Sequence, residues 1–130
     1  GSFEPALPAG TNIYSGELSP IKDTELTVYT TVYLNPSSAW KLANNNLESK
    51  TRPHAGIVVD EENVMTKGYI SGMSSFITTV GEPMYLEGGS QAGELTQTKP
   101  TNTGEFVRVM GYAVTSDVIY FNPSNEYIEL

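Results

Sequence analysis

The sequence contains no cysteine and a single histidine, His54, among its 130 residues. Without cysteine there is no disulfide, no thiolate metal site and no cysteine nucleophile. One histidine also excludes most zinc sites and the usual Ser-His catalytic arrangements. Any chemistry therefore has to come from carboxylates, hydroxyls, amides and a few cations.

Positive charge is also scarce. Seven Lys and Arg residues stand against fifteen Asp and Glu residues, which leaves a formal net charge of −8. Nucleic acids and anionic membrane surfaces are bound through a basic face, so this balance argues against both as partners. No apolar run approaches the roughly 20 residues of a membrane-spanning helix. The length corresponds to one domain with one core.

The pattern that is present is that of an all-β protein. Between Glu25 and Leu34, β-branched and aromatic residues alternate with period 2, which predicts a long first strand. Shorter runs follow about every ten residues, separated by turn residues, as in an antiparallel β-sandwich or small barrel. The later predicted strands are Trp40–Leu42, Gly56–Val59, Val64–Ser71, Ser75–Val80, Pro83–Leu86, Leu95–Thr96, Phe106–Thr115, Val118–Phe121 and Tyr127–Glu129.

The beginning of the chain differs from the rest in amino-acid composition. Residues 1–24 are rich in Pro and Gly and have few clustered apolar residues, which predicts a loop-rich arm or linker. The alternatives within it are a disordered tail and a short edge strand at Ile13-Tyr14. Gly1-Ser2 resembles the remnant of a cleaved expression tag. Residues 25–130 are expected to form a single β domain.

A repeated sequence pattern predicts a duplicated β unit. Thr31-Val32-Tyr33-Leu34 is similar to Pro83-Met84-Tyr85-Leu86, and each is followed, after a polar loop, by a Gly-containing strand. Those two strands are Ala55–Val59 and Met110–Val114. A glycine inside a strand allows another backbone or a ring to approach closely.

No cluster of polar residues predicts a catalytic or metal site. Asp60-Glu61-Glu62-Asn63 offers oxygen ligands, but adjacent carboxylates in a turn point apart, so a solvated turn is favoured over a calcium site. Ser71–Ser75 lacks the Gly-x-Ser-x-Gly elbow of serine hydrolases. His54 lies in a polar loop and is expected at the surface. The remaining glutamates beside turns are expected to be exposed: Glu82, Glu87, Glu94 and Glu105.

Tyrosine is the one abundant residue with binding potential, since there are eight tyrosines. Tyr29 and Tyr33 are predicted on one face of the first strand, where they form a candidate interface. Ile128 and Leu130 are apolar residues at the end of the sequence, and we expect them to pack against the sheet or a neighbouring molecule. An exposed tyrosine row could instead stack on sugar rings.

The segment from Gly81 onward resembles small virion structural proteins of tailed bacteriophages. The shared pattern is Gly-x-Pro-Met-Tyr-Leu, a glycine-containing loop, a Thr/Pro stretch, Val-x-Val-x-Gly-Tyr-Ala, and a final Ile-Tyr-Phe-Asn-Pro-Ser followed by Ile-Glu-Leu. The matching segments are Gly81–Leu86, Gly88–Gly93, Thr96–Thr103, Val107–Ala113 and Ile119–Leu130. The resemblance extends more loosely back to residue 25. It transfers no catalytic, cofactor or metal-binding residue.

The resemblance implies a non-enzymatic capsid decoration, head-fibre or tail-fibre component in the virion. Its expected partners are other virion proteins and copies of itself, with a homotrimer favoured because similar proteins commonly form threefold assemblies. No cofactor or metal is expected. The alternative is a receptor- or glycan-binding domain of a phage tail fibre or bacterial adhesin. A hydrolase would need a cleft with two convergent carboxylates.

Overall fold

The computed structural model describes residues 13–21 and 26–130, which form eleven β-strands and three short 3-10 helices. The all-β class predicted from the sequence is confirmed. The helices are Glu48–Lys50, Ser74–Phe76 and Gly89–Gln91. The strands are β1 (Tyr14–Pro20), β2 (Thr31–Leu34), β3 (Trp40–Leu42), β4 (Ala55–Val58), β5 (Asn63–Ile70), β6 (Pro83–Leu86), β7 (Leu95–Thr96), β8 (Phe106–Val107), β9 (Val109–Ala113), β10 (Ile119–Phe121) and β11 (Ile128–Glu129).

Nine strands form one antiparallel sheet that curls into a half-barrel. Its order is β3-β2-β4-β5-β10-β9-β6-β7, and β1 pairs with β5 beside this path. Strands β8 and β11 form a separate two-stranded ladder. The largest buried side chains of the main core include Phe121, Ile57 and Met110. A smaller cluster of Val32, Trp40, Val58 and Val64 lies apart from it.

The strand pairing confirms the predicted duplication. The first unit has the order β3-β2-β4-β5, and the second repeats it as β7-β6-β9-β10. Val32 lies opposite Gly56 in the first unit, as Met84 lies opposite Gly111 in the second. A Cβ at Gly111 would collide with the backbone of Tyr120, so the close approach requires glycine there.

The hydrogen bonds at the ends of these strands repeat as well. Tyr29 N–H donates to the Val58 carbonyl at 2.8 Å, and Gly81 N–H donates to the Ala113 carbonyl at 2.7 Å. Both donors have a left-handed backbone, with φ of 76° at Tyr29 and 92° at Gly81. A non-glycine residue rarely adopts this conformation. At this position the second unit has Gly81, which adopts the left-handed conformation without strain, whereas the first unit has Tyr29.

The two ends of the curled sheet meet at Asn45, just after β3. Its backbone N–H donates to the Glu87 carbonyl at 3.3 Å, and its Nδ2 donates to the Leu86 carbonyl at 3.0 Å. Thr31 N–H donates to the Gly93 carbonyl at 2.7 Å beside this bridge. Backbone groups at the end of one unit are therefore satisfied by the other unit.

Of the alternatives predicted for the arm, the edge strand at Ile13-Tyr14 is confirmed at Tyr14, and the strand continues to Pro20 where a loop was expected. These residues form β1, which pairs with β5 from Tyr14↔Ile70 to Pro20↔Asn63. Gly16 lies opposite Gly68, and a Cβ on either glycine would collide with the other strand. The glycine that suggested a loop is therefore needed for strand pairing. The rest of the predicted arm, residues 1–12 and 22–24, lies outside the described residues.

Three other predicted strands also differ. The first strand begins at Thr31 rather than at Glu25, because the chain turns at Tyr29; Glu25 itself lies outside the described residues. Residues 75–80 form no strand, since Thr78 and Thr79 N–H donate to the Gln97 side chain at 2.7 and 2.8 Å. The strand predicted over residues 106–115 is split at Arg108 into β8 and β9.

Candidate binding surface

The four predicted interface residues lie in two places. The rings of Tyr29 and Tyr33 are half-buried and pack against the main core. Val28, Val32 and Leu34 belong to the smaller cluster, so both sides of this segment are covered by the chain itself. The sequence had suggested that one side would stay open. An interface role for the two tyrosines stays a prediction.

Ile128 and Leu130 are exposed, by 55% and 36% respectively. Ile128 pairs with Val107 in the β8–β11 ladder, and Leu130 N–H donates to the Glu105 carbonyl at 2.9 Å. The backbone is therefore fixed while the side chains point away from the core. They are not buried against the sheet within the single chain, and their packing against a neighbour stays a prediction.

A row of three other tyrosines crosses the outer face of the sheet. Tyr69 lies opposite Tyr120, and Tyr120 lies opposite Tyr112 on the next strand. The rings of Tyr69 and Tyr120 have centroids 4.8 Å apart at an angle of 40°. Tyr112 is 47% exposed. We call Tyr69, Tyr120 and Tyr112 the tyrosine row.

The row was not predicted, although its residue types were visible in the sequence. Gly68-Tyr69 and Gly111-Tyr112 both place a buried glycine directly before an outward tyrosine. Alternation along each strand predicts that the tyrosines share a face with every second residue. Only the register between β5, β10 and β9 brings the three rings together, and register is a long-range property.

A cavity of about 430 Å³ opens beside the tyrosine row. It forms where β5 changes partners, because β4 pairs with Val64 and Met65 while β10 pairs with residues 68–70. Thr66 and Lys67 lie between these pairings and line the gap. The described residues that line it are Glu17, Arg52, His54, Ala55, Thr66, Lys67, Arg108, Asn122, Pro123 and Asn125.

Arg108 ties the two walls of this cavity together. Its Nε donates to the Ser124 carbonyl at 2.7 Å, and its Nη1 donates to the carbonyls of Thr51 and Pro53 at 2.6 and 2.9 Å. The side chain is 5% exposed, and burial lowers the pKa of Arg108 from its ordinary value. A guanidinium remains protonated at neutral pH even so. Its partners in the described part of the chain are all carbonyls, so no carboxylate neutralises it.

The acidic turn after β4 serves the fold. The Asp60 carboxylate accepts hydrogen bonds from the Tyr14 hydroxyl and from Glu62 N–H, the latter at 2.7 Å. The Tyr14 hydroxyl is the main cause that lowers the pKa of Asp60, and the same bond raises the pKa of Tyr14. Among residues 13–21 and 26–130, no three His, Asp or Glu side chains come together in a way that could hold a metal ion. Asp60 thus joins β1 to the β4–β5 turn.

The other residues considered in the sequence are placed apart. His54 is exposed in the cavity wall, and its ring lies 5.7 Å from that of Trp40. Ser71 is buried and its hydroxyl donates to the Ile13 carbonyl at 3.1 Å, so this serine serves the attachment of β1. Burial and the neighbouring charges of Glu94 and Glu105 raise the pKa of Glu87.

Within the described ranges, no helix is long and apolar enough to cross a membrane.

Comparisons of the chain with protein-family models, with curated proteins and with solved structures found no match.

Proposed function

We propose that this chain is a non-enzymatic structural domain of a tailed-bacteriophage virion. It acts as a capsid decoration, head-fibre or tail-fibre component through contacts with other virion proteins and with copies of itself. The observation that carries the proposal is the pattern from Gly81 to Leu130, which spans β6 to β11 and thus one complete unit of the duplicated fold.

The pattern residues with a clear physical role maintain the fold. Gly81 adopts a left-handed conformation, and Gly111 allows the close approach of β10. Ser124, in the Asn-Pro-Ser segment, supplies the carbonyl that receives Arg108. Residues that specify a rigid scaffold suit a particle component whose function is assembly.

Exposed apolar side chains supply contact surface for such a component. Ile128 and Leu130 project from a ladder whose backbone is hydrogen-bonded, so little ordering is needed before they meet a partner. Self-association is opposed by the net charge of −8 per chain, and salt screens that repulsion over about 8–10 Å at physiological strength.

Light scattering at micromolar concentration tests the self-association. A trimer gives three times the chain mass of 14.1 kDa, and a double variant with Ile128→Ser and Leu130→Ser should fall to the monomer mass. Val80→Ser is the matched control, because Val80 is also exposed, by 53%, but lies outside the ladder. A wild-type mass of 14.1 kDa at all concentrations would remove self-association from the proposal. Mass spectrometry of purified particles tests the virion assignment.

The tyrosine row favours a second candidate function, glycan binding. The apolar C–H face of a sugar ring packs on an aromatic ring, and the hydroxyl of tyrosine offers a hydrogen bond at its edge. Three rings on adjacent strands of a rigid sheet provide such a platform without a conformational change. A glycan array tests it with Tyr112→Ala and, as an exposed apolar control, Leu47→Ala. Binding that survives Tyr112→Ala would show that the row is not the site.

A further inference from the structure

We infer that the cavity between β4 and β10 binds the carboxylate of an acidic sugar whose ring rests on the tyrosine row. This inference rests on the glycan-binding candidate and specifies its ligand class. The cavity volume of about 430 Å³ lies within the range of about 300–1,000 Å³ usual for small-ligand sites.

Positive charge is concentrated in this cavity. Three of the chain's seven Lys and Arg residues line this one cavity, namely Arg52, Lys67 and Arg108. The single histidine lines it too, and among the described residues Glu17 is the only carboxylate in the lining. In a chain of net charge −8, this cavity is a local excess of cations. Such a concave cationic surface attracts an anion and holds it against solvent.

Arg108 carries a buried positive charge in the cavity wall. Its guanidinium is buried, and in the described part of the chain its charge meets only carbonyl oxygens. Carbonyl dipoles satisfy the donors but do not cancel the positive charge. Hydrogen bonds from Nε and Nη1 hold the planar group in place, and Nη2 has no partner among the described residues. Carboxylate and phosphate oxygens are acceptors that match a fixed guanidinium donor.

The surroundings of the cavity suit a sugar better than a bare anion. Lys67 precedes Tyr69 by two residues on β5, and Asn122 follows Tyr120 by two residues next to β10, so cavity and row share the outer face. Thr66, Asn122 and Asn125 add hydroxyl and amide groups suited to sugar hydroxyls. A free phosphate would leave these groups and the tyrosine row unused.

The test is an array of neutral, carboxylated, sulfated and phosphorylated glycans, followed by calorimetry with trigalacturonic acid, its methyl ester, sialyllactose and lactose. We expect binding of carboxylated sugars only, weaker at high salt. Arg52→Gln and Lys67→Gln should each weaken it about tenfold or more, as expected for a lost charge-assisted hydrogen bond. Lys41→Gln is the matched control, since Lys41 is an exposed cation on β3 outside the cavity.

The outcomes distinguish failure of the carboxylate site from failure of glycan binding. Binding of neutral glycans that depends on Tyr112 but not on Lys67 would overturn the carboxylate site and keep glycan binding. Equal binding of sulfated or phosphorylated glycans would overturn the preference for carboxylate. Absence of binding to every glycan would overturn both, as would binding to poly-glutamate alone.

Discussion

Replacement of Arg108 by methionine tests how strongly this side chain holds the two walls of the cavity together. Methionine retains most of the apolar stem of arginine but has no donor. The variant leaves the carbonyls of Ser124, Thr51 and Pro53 without the charged group that now reaches them at 2.6 to 2.9 Å. Loops on opposite sides of the cavity then lose their connection.

The magnitude follows from the two donating nitrogens, Nε and Nη1. A hydrogen bond to a charged group contributes about 1.5–3 kcal/mol, and the three carbonyls share two nitrogens, so the gross loss is about 3–6 kcal/mol. Relief from burying a charge at 5% exposure offsets part of that loss. We expect the free energy of unfolding to fall by about 3 kcal/mol. For a domain of this size, this corresponds to a melting temperature lower by about 10 °C.

Thermal and urea unfolding measure this change, with Arg52→Met as the control. Arg52 is exposed, so its replacement should alter stability by no more than about 0.5 kcal/mol. A melting temperature for Arg108→Met within about 3 °C of the wild type would refute the reasoning, because the carbonyl contacts would then contribute little.

Other expected outcomes concern local features. Because the pKa of Asp60 is lowered in the folded protein, Asp60 contributes stability above the ordinary carboxyl pKa, and this contribution is lost as the pH falls through the folded pKa. Because the pKa of Tyr14 is raised, Tyr14 contributes stability below the ordinary tyrosine pKa, and this contribution is lost as the pH rises through the folded pKa. Tyr14→Phe should flatten both limbs of a stability-versus-pH curve. Gly81→Ala should cost about 1–2 kcal/mol in urea unfolding, because φ is 92° there and no atom lies within 4 Å of the added Cβ. Gly104→Ala, with the same φ and the same open surroundings, should cost the same. Deleting residues 126–130 should cost about 1–2 kcal/mol in thermal unfolding, since exposed side chains contribute little beyond the ladder hydrogen bonds.

Local patterns predicted the fold class and most strands. Pro83–Leu86 and Leu95–Thr96 occur with the predicted bounds, because turn residues and alternation act within a few positions. The turn at Tyr29 could not be seen, since nothing local distinguishes a tyrosine at positive φ from one in a strand. The second unit has Gly81 at the corresponding position, and alignment of the two repeated segments would have indicated the turn.

The binding surface was beyond local prediction. The tyrosine row depends on the pairing of β5 with β10, whose residues lie far apart in sequence. The cavity depends on a gap between β4 and β10 that only the complete sheet defines. His54 was correctly expected at the surface, but its neighbours Arg108 and Lys67 come from distant segments. Sequence patterns indicate which residues face outward, whereas register decides which of them meet.

The bridge at Asn45 has a consequence for behaviour in concentrated solution. A curled open sheet has two edges, and unpaired N–H and C=O groups at an edge recruit strands from other molecules, which leads to aggregation. Here Thr31 N–H and Asn45 N–H are already occupied by carbonyls from the far end of the same sheet. Strand addition from a second molecule would have to displace these bonds. Where β3 and β7 meet, contacts between densely packed copies are therefore left to side chains, and among the described strands β1, which pairs only with β5, keeps an edge at which backbone pairing stays open.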